Sequence, residues 1–308
     1  MGNFDKNKNH ILRKLEINDD ELLGKGVESY VYAYGKNQVV RILKQGDLNY
    51  LESLRKLQIL ISKSNLSVKT PLITKIEEIN GTFYIFEERF SGKNLSKIFD
   101  KFSDNQKEKI MLSYFDLLGD VIKVNVKEFD FGQIGLTKDK ISSNRWSDFV
   151  CKKVKQKTDQ VISQLGKDVE DFRGRLDLFN NLATTKLRGV DKKLVHGDYF
   201  YDNIMVNERA EITGILDFSG WTTVVGDFRL DICGSIIFLE HSQLFIEFQK
   251  LLTERAKDRY GNGIEYYIDF YRLYYSLFLS DSFLYLKPLY DWCVKNLNNG
   301  ELWKRVQR

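Results

Sequence analysis

The chain has 308 residues, 43% of them apolar, and a formal net charge of +4 from 47 basic and 43 acidic side chains. That length can bury substantial cores and favours two domains or two lobes of one, while so small a charge makes no electrostatic case for a nucleic-acid partner. Cys151, Cys233 and Cys293 form no C-x-x-C pair and the three histidines show no zinc spacing, which points to a reduced, cytoplasmic setting.

No uncharged run reaches the roughly 20 residues needed to span a bilayer, and "YYIDFYRLYYSLFL" is interrupted by Asp269 and Arg272. No membrane partner is therefore expected. The opening Met-Gly-Asn would suit myristoylation, but Lys6 stands where that signal wants Ser or Thr.

In chain order, "ELLGKG" (21–26), "YVYAYG" (30–35) and "NQVVRILK" (37–44) read as short antiparallel strands punctuated by Gly and Asn. "DLNYLESLRKLQILISK" then switches to helical spacing, with Leu51, Leu54, Leu57 and Ile61 on one apolar face. Strands around "LITKIEEI" and "TFYIFEERF" follow, joined at Asn80-Gly81, a hairpin turn signal. After Ser91-Gly92 the pattern becomes helical over about 104–125, 147–165 and 168–188. The expected division is therefore an N-terminal lobe of residues 1–90 and a C-terminal lobe of residues 91–308.

The chemistry is concentrated in "LVHGDYFYDNIMV" (194–206) and "EITGILDF" (211–218). Two short strands over 204–206 and 212–216, joined by a turn through Asn207–Glu211, would return Asp217 beside the start of the first strand. Asp198, Asn203 and Asp217 would then converge. Hard oxygen donors of this kind suit Mg²⁺, particularly where phosphate supplies further ligands, and leave Asp198 to orient and deprotonate a hydroxyl.

An Asp followed five positions later by Asn, and then by a distal Asp, resembles the phosphotransfer loop of protein kinases. "HGDYFYDN", "ILDF" and "GDFRLDIC" (226–233) more closely resemble the aminoglycoside phosphotransferase family. The order of "GVESYVYAYG", "FDFGQIG" and "RWSDFV" is similar to that of its hygromycin phosphotransferases. The resemblance implies an α+β, protein-kinase-like fold with an antiparallel sheet in the first lobe and a mainly helical second lobe. It implies Asp198 as catalytic base, Asn203 and Asp217 as Mg²⁺ ligands, and Asp227 as a support behind the catalytic loop. His196 is then a structural residue, with Asp202 and Asp231 as caps or loop supports.

In the first lobe, "GKGVESYVY" resembles the loop that covers the nucleotide phosphates, through Gly24, Gly26 and Ser29. Arg41 falls where that fold presents a cation to the α- and β-phosphates, with Glu52 as its expected ion-pair partner and Lys44 as a competing cation. "FYIFEERFSG" resembles the hinge that receives the purine, through backbone groups around Glu88, Arg89 and Phe90. Each of these segments also has a plain reading, as a turn, a surface pair or a packed strand.

The reaction implied is transfer of a phosphoryl group from ATP or GTP to a small hydroxylated acceptor, foremost an aminoglycoside. A choline, homoserine or sugar kinase of the same fold is the alternative enzyme, and a nucleotide-binding pseudokinase the non-catalytic one. Glu265, Asp269 and Asp281 among the C-terminal aromatic residues can either attract a cationic acceptor or sit on helices whose aromatic residues simply fill a core. The run "KKVKQK" (152–157) reads as a solvated helix face.

Overall fold

The computed structural model describes residues 3–26, 28–135, 138 and 140–308; Met1, Gly2 and Val27, parts of the myristoylation and phosphate-loop readings, lie outside the described residues. The first part runs α1 (Asn3–Lys14), β1 (Leu22–Lys25), β2 (Ser29–Tyr34), β3 (Gln38–Leu43), α2 (Leu48–Ser62), β4 (Ile73–Ile79) and β5 (Thr82–Glu88). Its strands make one antiparallel sheet in the order β1-β2-β3-β5-β4. At the β4–β5 hairpin Asn80 and Gly81 take φ of 51° and 79°, the left-handed values that a tight two-residue turn requires.

Strand alternation divides this sheet into two apolar faces. Tyr32, Val40, Ile42, Tyr84 and Phe86 point to one side, where Ile11 and Leu12 of α1 cover them. Nothing in the charged stretch "NFDKNKNHILRK" announced that helix, because its apolar face is narrow and needs the sheet to bury it. Leu43 and Ile85 point to the other side, against Leu51 of α2 and Ile73.

Asp47 caps α2 by accepting from the Tyr50 amide at 3.1 Å, which satisfies one of the free N–H groups of the first turn. Along the helix, Leu51 joins the small-sheet cluster while Leu57 and Ile61 belong to the large core of the rest of the chain. Each such side chain contributes about 1.5–3 kcal/mol by burial, so α2 is held by both parts at once.

The second part contains β6 (Lys93–Asn94), α3 (Leu95–Ile98), α4 (Asp104–Val121), β7 (Phe131–Gln133), β8 (Ser142–Ser143), α5 (Trp146–Thr158), α6 (Ile162–Asp168) and α7 (Phe172–Lys186). It continues with β9 (Lys193–Val195), β10 (Ile204–Val206), β11 (Ile212–Ile215), β12 (Val224–Gly226), α8 (Arg229–Ile237), α9 (Gln249–Tyr260), α10 (Ile264–Phe278), α11 (Lys287–Leu297) and α12 (Gly300–Gln307). Two small sheets, ordered β11-β10-β6 and β8-β7-β12-β9, sit among these helices. The last strand of the first sheet ends at Glu88, and β6 already pairs with β10. Lys69 crosses the other way, its amide donating to Thr213 O and its carbonyl accepting from Ile215 N.

The helix expected over 147–165 is broken at Asp159–Val161. The Thr158 hydroxyl bonds back to the carbonyls of Val154 and Lys155, a contact that bends helices. Lys153 corrects the solvated-face reading of "KKVKQK": it is only 8% exposed, with its ammonium on Gln156 Oε1 at 3.0 Å and near the ring of Phe278.

Helix α10 crosses the middle of the large core, burying Phe270, Tyr271, Leu273, Tyr274, Tyr275 and Leu277. The three acids that could attract a cationic acceptor are each paired: Glu265 with Lys257, Asp269 with Arg305 and Asp281 with Lys157. The aromatic segment is thus core, and its neighbouring carboxylates are neutralised by their own chain. No helix among the described residues is long and apolar enough to cross a membrane, and the three cysteines are free thiols.

Candidate active site

The loop from His196 to Asn203 leaves β9, makes a 3₁₀ turn at Tyr201–Asn203 and enters β10. Gly197 takes φ +78°, and a Cβ there would lie 2.0 Å from Thr222 O, so only glycine fits the turn. Asp231 holds the turn from behind. Its carboxylate accepts from the amides of His196 at 2.6 Å and Gly197 at 2.9 Å. Burial pushes that carboxyl up to about 7, against the lowering effect of the two amides.

Sequence reasoning gave this supporting place to Asp227, and the structure moves it. Asp227 instead accepts from the Arg229 amide at the start of α8, pairs with the Arg229 guanidinium and accepts from Tyr271 Oη at 2.7 Å. Its burial against α10 makes it a packing ion pair, while Asp231, one helical turn further on, reaches the loop. Asp202 is exposed and accepts from Ser96 Oγ, a loop-supporting contact.

His196 is fully buried. Its Nδ1 accepts from the Asp198 amide at 3.2 Å and its Nε2 lies 2.8 Å from Leu216 O, so the proton belongs on Nε2. Burial lowers the imidazole to about 4, opposed by the Leu216 carbonyl and the charge of Asp217. The ring packs on Phe218, 4.4 Å between centroids. Neutral and committed at both nitrogens, it ties the loop to the strand end that carries Asp217.

That strand end is brought in by the β10–β11 hairpin. Leu216 N donates to Asn203 O at 2.7 Å, and Asp217 follows in a left-handed conformation, φ 63°. Asn203 Nδ2 donates to Asp198 O at 2.9 Å and Asp198 Oδ2 at 3.2 Å. Burial and then the charge of Asp217 raise the Asp198 carboxyl to about 6, with the Asn203 hydrogen bond working the other way. The three residues singled out in the sequence are therefore one electrostatically connected group.

Among the described residues no three His, Cys, Asp or Glu side chains form a metal-holding cluster. A site of one amide oxygen and one carboxylate is incomplete by itself, and it fits a small hard cation that takes its remaining ligands from phosphate and water. Asn203 spends its Nδ2 on Asp198 and so keeps its oxygen for such a cation, and Asp217 is exposed beside it.

The first sheet meets this group from the opposite side. Gly24 and Gly26 have neither a positive φ nor a protein neighbour that excludes a side chain, the nearest atom to a Cβ at Gly26 being Ser29 O at 3.9 Å. The Gly26 amide donates to Ser29 O at 2.9 Å, which closes the turn. Lys44, the competing cation, donates to Gly26 O at 2.7 Å and is committed to the loop. Glu28, which sequence reasoning passed over, faces the cleft: shelter and the charge of Asp217 raise its carboxyl, and Arg41 lowers it.

Arg41 does not pair with Glu52. Its Nε donates to Glu87 Oε2 at 3.1 Å, because β5 lies directly beside β3, and Glu52 makes no ion pair among the described residues. Helix α2 reaches the site through Tyr50, whose ring lies against Gly220 and 6.2 Å from that of Trp221. At the hinge, Glu88 pairs with Lys69, the Arg89 amide is used by Asn37 O at 2.8 Å, and Phe90 packs on Gly214. Gln133, buried in "FDFGQIG", donates to Trp221 O at 2.9 Å and accepts from the Ile141 amide. Its place between Gly132 and Gly135 was its one visible signal in the sequence.

Residues 21–274 match the family described as the phosphotransferase enzyme family. The chain belongs to that family. This phosphotransferase also shares its fold with solved structures. It is 17% identical to the streptomycin-ATP-APH(2")-IIa ternary complex, with a TM-score of 0.66 over 99% of both chains. It is 12% identical to aminoglycoside phosphotransferase APH(3'')-Id from Streptomyces rimosus, with a TM-score of 0.60 over 93% of this chain and 98% of that one. It is 12% identical to the macrolide 2'-phosphotransferase MphH from Brachybacterium faecium, with a TM-score of 0.57 over 96% and 98%. No curated protein sequence matches this chain. The kinase-like architecture expected from the motifs is the one found.

Proposed function

We propose that this phosphotransferase moves the γ-phosphoryl of ATP or GTP to a hydroxyl of a small acceptor, with Asp198 as the base. The observation that carries this reading is the double tie of His196 and Asn203, which holds Asp198 and Asp217 at one place and engages only one carboxylate oxygen, Asp198 Oδ2. Asp198 orients the acceptor hydroxyl and takes its proton as the oxygen bonds to phosphorus. Asn203 and Asp217 hold Mg²⁺, which supplies charge compensation to the phosphates when bound. The loop that carries Gly24, Gly26 and Ser29 covers those phosphates, Arg41 meets them from the sheet, and the Phe90 amide and hinge carbonyls near Glu88 receive the purine.

An aminoglycoside acceptor is supported by neighbours in complex with streptomycin and kanamycin. The self-paired carboxylates Glu265, Asp269 and Asp281 favour a second reading, an acceptor with fewer amines. Incubation with Mg²⁺ and ATP or GTP against aminoglycosides, macrolides, sugars and amino alcohols, read by product mass spectrometry, tests both. A phosphorylated aminoglycoside supports the first reading and a phosphorylated macrolide or sugar the second. No phosphorylated product across the panel counts against the function itself.

A further inference from the structure

Arg41 and Glu87 lie on the cleft face of adjacent strands. In register Arg41 faces Ile85 and Val39 faces Glu87, so the two side chains are diagonal neighbours on one face, within reach of each other. The Glu87 carboxylate is buried, 5% exposed, and a buried carboxylate is strongly destabilised without a cation beside it. Glu28 and Asp217 also bear on the Arg41 charge, which places the guanidinium toward the metal strand. Glu52, on α2, makes no ion pair with it, and Glu87 takes that place.

We infer that Glu87 is the residue that positions Arg41 for nucleotide phosphates, so that this cation is oriented from within the sheet and not by helix α2. The inference rests on the phosphate-binding reading of Arg41. One guanidinium N–H is spent on Glu87 and the remaining donors of the fork stay available to anionic oxygens. Helix α2 touches the loop after Asp217 through Tyr50 and Gly220.

The test is binding of Mg²⁺-ATP and Mg²⁺-GTP to the full chain, by calorimetric titration. Loss of a charge-assisted contact predicts weakening of about tenfold or more for Arg41→Met and about tenfold for Glu87→Gln. Glu52→Gln is expected to shift binding less than about twofold. Because Glu87 acts through Arg41, adding Glu87→Gln to Arg41→Met should cost nothing further, a coupling that a merely structural glutamate would not show.

Full additivity of the two substitutions, or a Glu52→Gln effect equal to that of Arg41→Met with Glu87→Gln silent, overturns the inference and leaves the proposed function standing. Unchanged binding by Arg41→Met removes the phosphate reading and the inference with it. Arg41→Met leaves the buried Glu87 carboxylate without its cation, so should it fail to fold, Glu87→Gln is compared with Glu87→Asp, which keeps the charge. Binding weakened about tenfold by Glu87→Gln and partly restored in Glu87→Asp then supports the inference, and wild-type binding by Glu87→Gln overturns it.

Discussion

The imidazole of His196 and the carbonyl of Leu216 are joined at 2.8 Å, across twenty positions of sequence. Leu216 is the residue before Asp217, so this one hydrogen bond couples the loop that carries the proposed base to the strand end that carries the proposed metal ligand. Replacing His196 with Phe keeps an aromatic ring against Phe218 but leaves the Leu216 carbonyl and the Asp198 amide without partners. Each orphaned group costs about 1–3 kcal/mol. A lowered melting temperature is expected, with a larger loss in kcat than in nucleotide affinity; wild-type turnover by the folded variant would disprove the coupling.

Asp198→Asn should bind nucleotide nearly as well as the wild type and form product about 10²–10⁴-fold more slowly, the usual worth of a positioned base. Asp217→Asn should instead raise the Mg²⁺ concentration needed for half-maximal turnover. Nucleotide titration beside product quantification, each over a Mg²⁺ series, separates the two roles. Interchanged phenotypes would reverse the assignments.

Two glycine positions should respond oppositely to alanine. At Gly197, φ is +78° and the new Cβ would press on Thr222 O, so Gly197→Ala is expected to lower stability sharply and abolish turnover. At Gly24 nothing lies within 4 Å. Gly24→Ala should therefore melt like the wild type while weakening nucleotide binding, since a bound phosphate would occupy the space the methyl takes. Unimpaired binding by Gly24→Ala would remove this loop from the nucleotide site.

Lys153 predicts a pH dependence. Burial, then the charge of Lys157, lowers its ammonium to about 8, partly opposed by Asp281. Between pH 8 and the unfolded value of 10.5 the unfolded chain holds the proton and the folded chain does not, so this group makes stability rise with pH across that window. Below pH 8 both states are charged and the penalty is constant. Lys153→Met should accordingly stabilise the protein by about 1–3 kcal/mol at pH 7, with the advantage fading as pH climbs toward 10.5. Urea unfolding of both proteins over this range measures it, and a destabilised Lys153→Met would show the ammonium to be a net support.

Much of the site was legible because its parts are local. Asp198 and Asn203 are separated by one turn, and Asp217 returns to them through a short hairpin whose strands read from "IMV" and "ITGI". The short β-prone runs punctuated by Gly and Asn, and the Asn80-Gly81 turn, likewise announced the first sheet. The helix α1 and the division of 147–165 were less visible, since one depends on a sheet to cover its narrow apolar face and the other on the hydroxyl of Thr158.

By itself, then, the sequence determined the chemical types at the site and their order along the chain, because period, turn residues and short spacings are properties of neighbouring residues. Which partner each charged group takes was decided only by the tertiary structure. Arg41 meets Glu87 because β5 inserts beside β3, Asp231 reaches His196 and Gly197 because α8 packs behind the loop, and Lys153 is buried because Phe278 lies over it. Electrostatic pairing depends on distance through space and on exclusion of water. Neither is set until sheets and helices have packed.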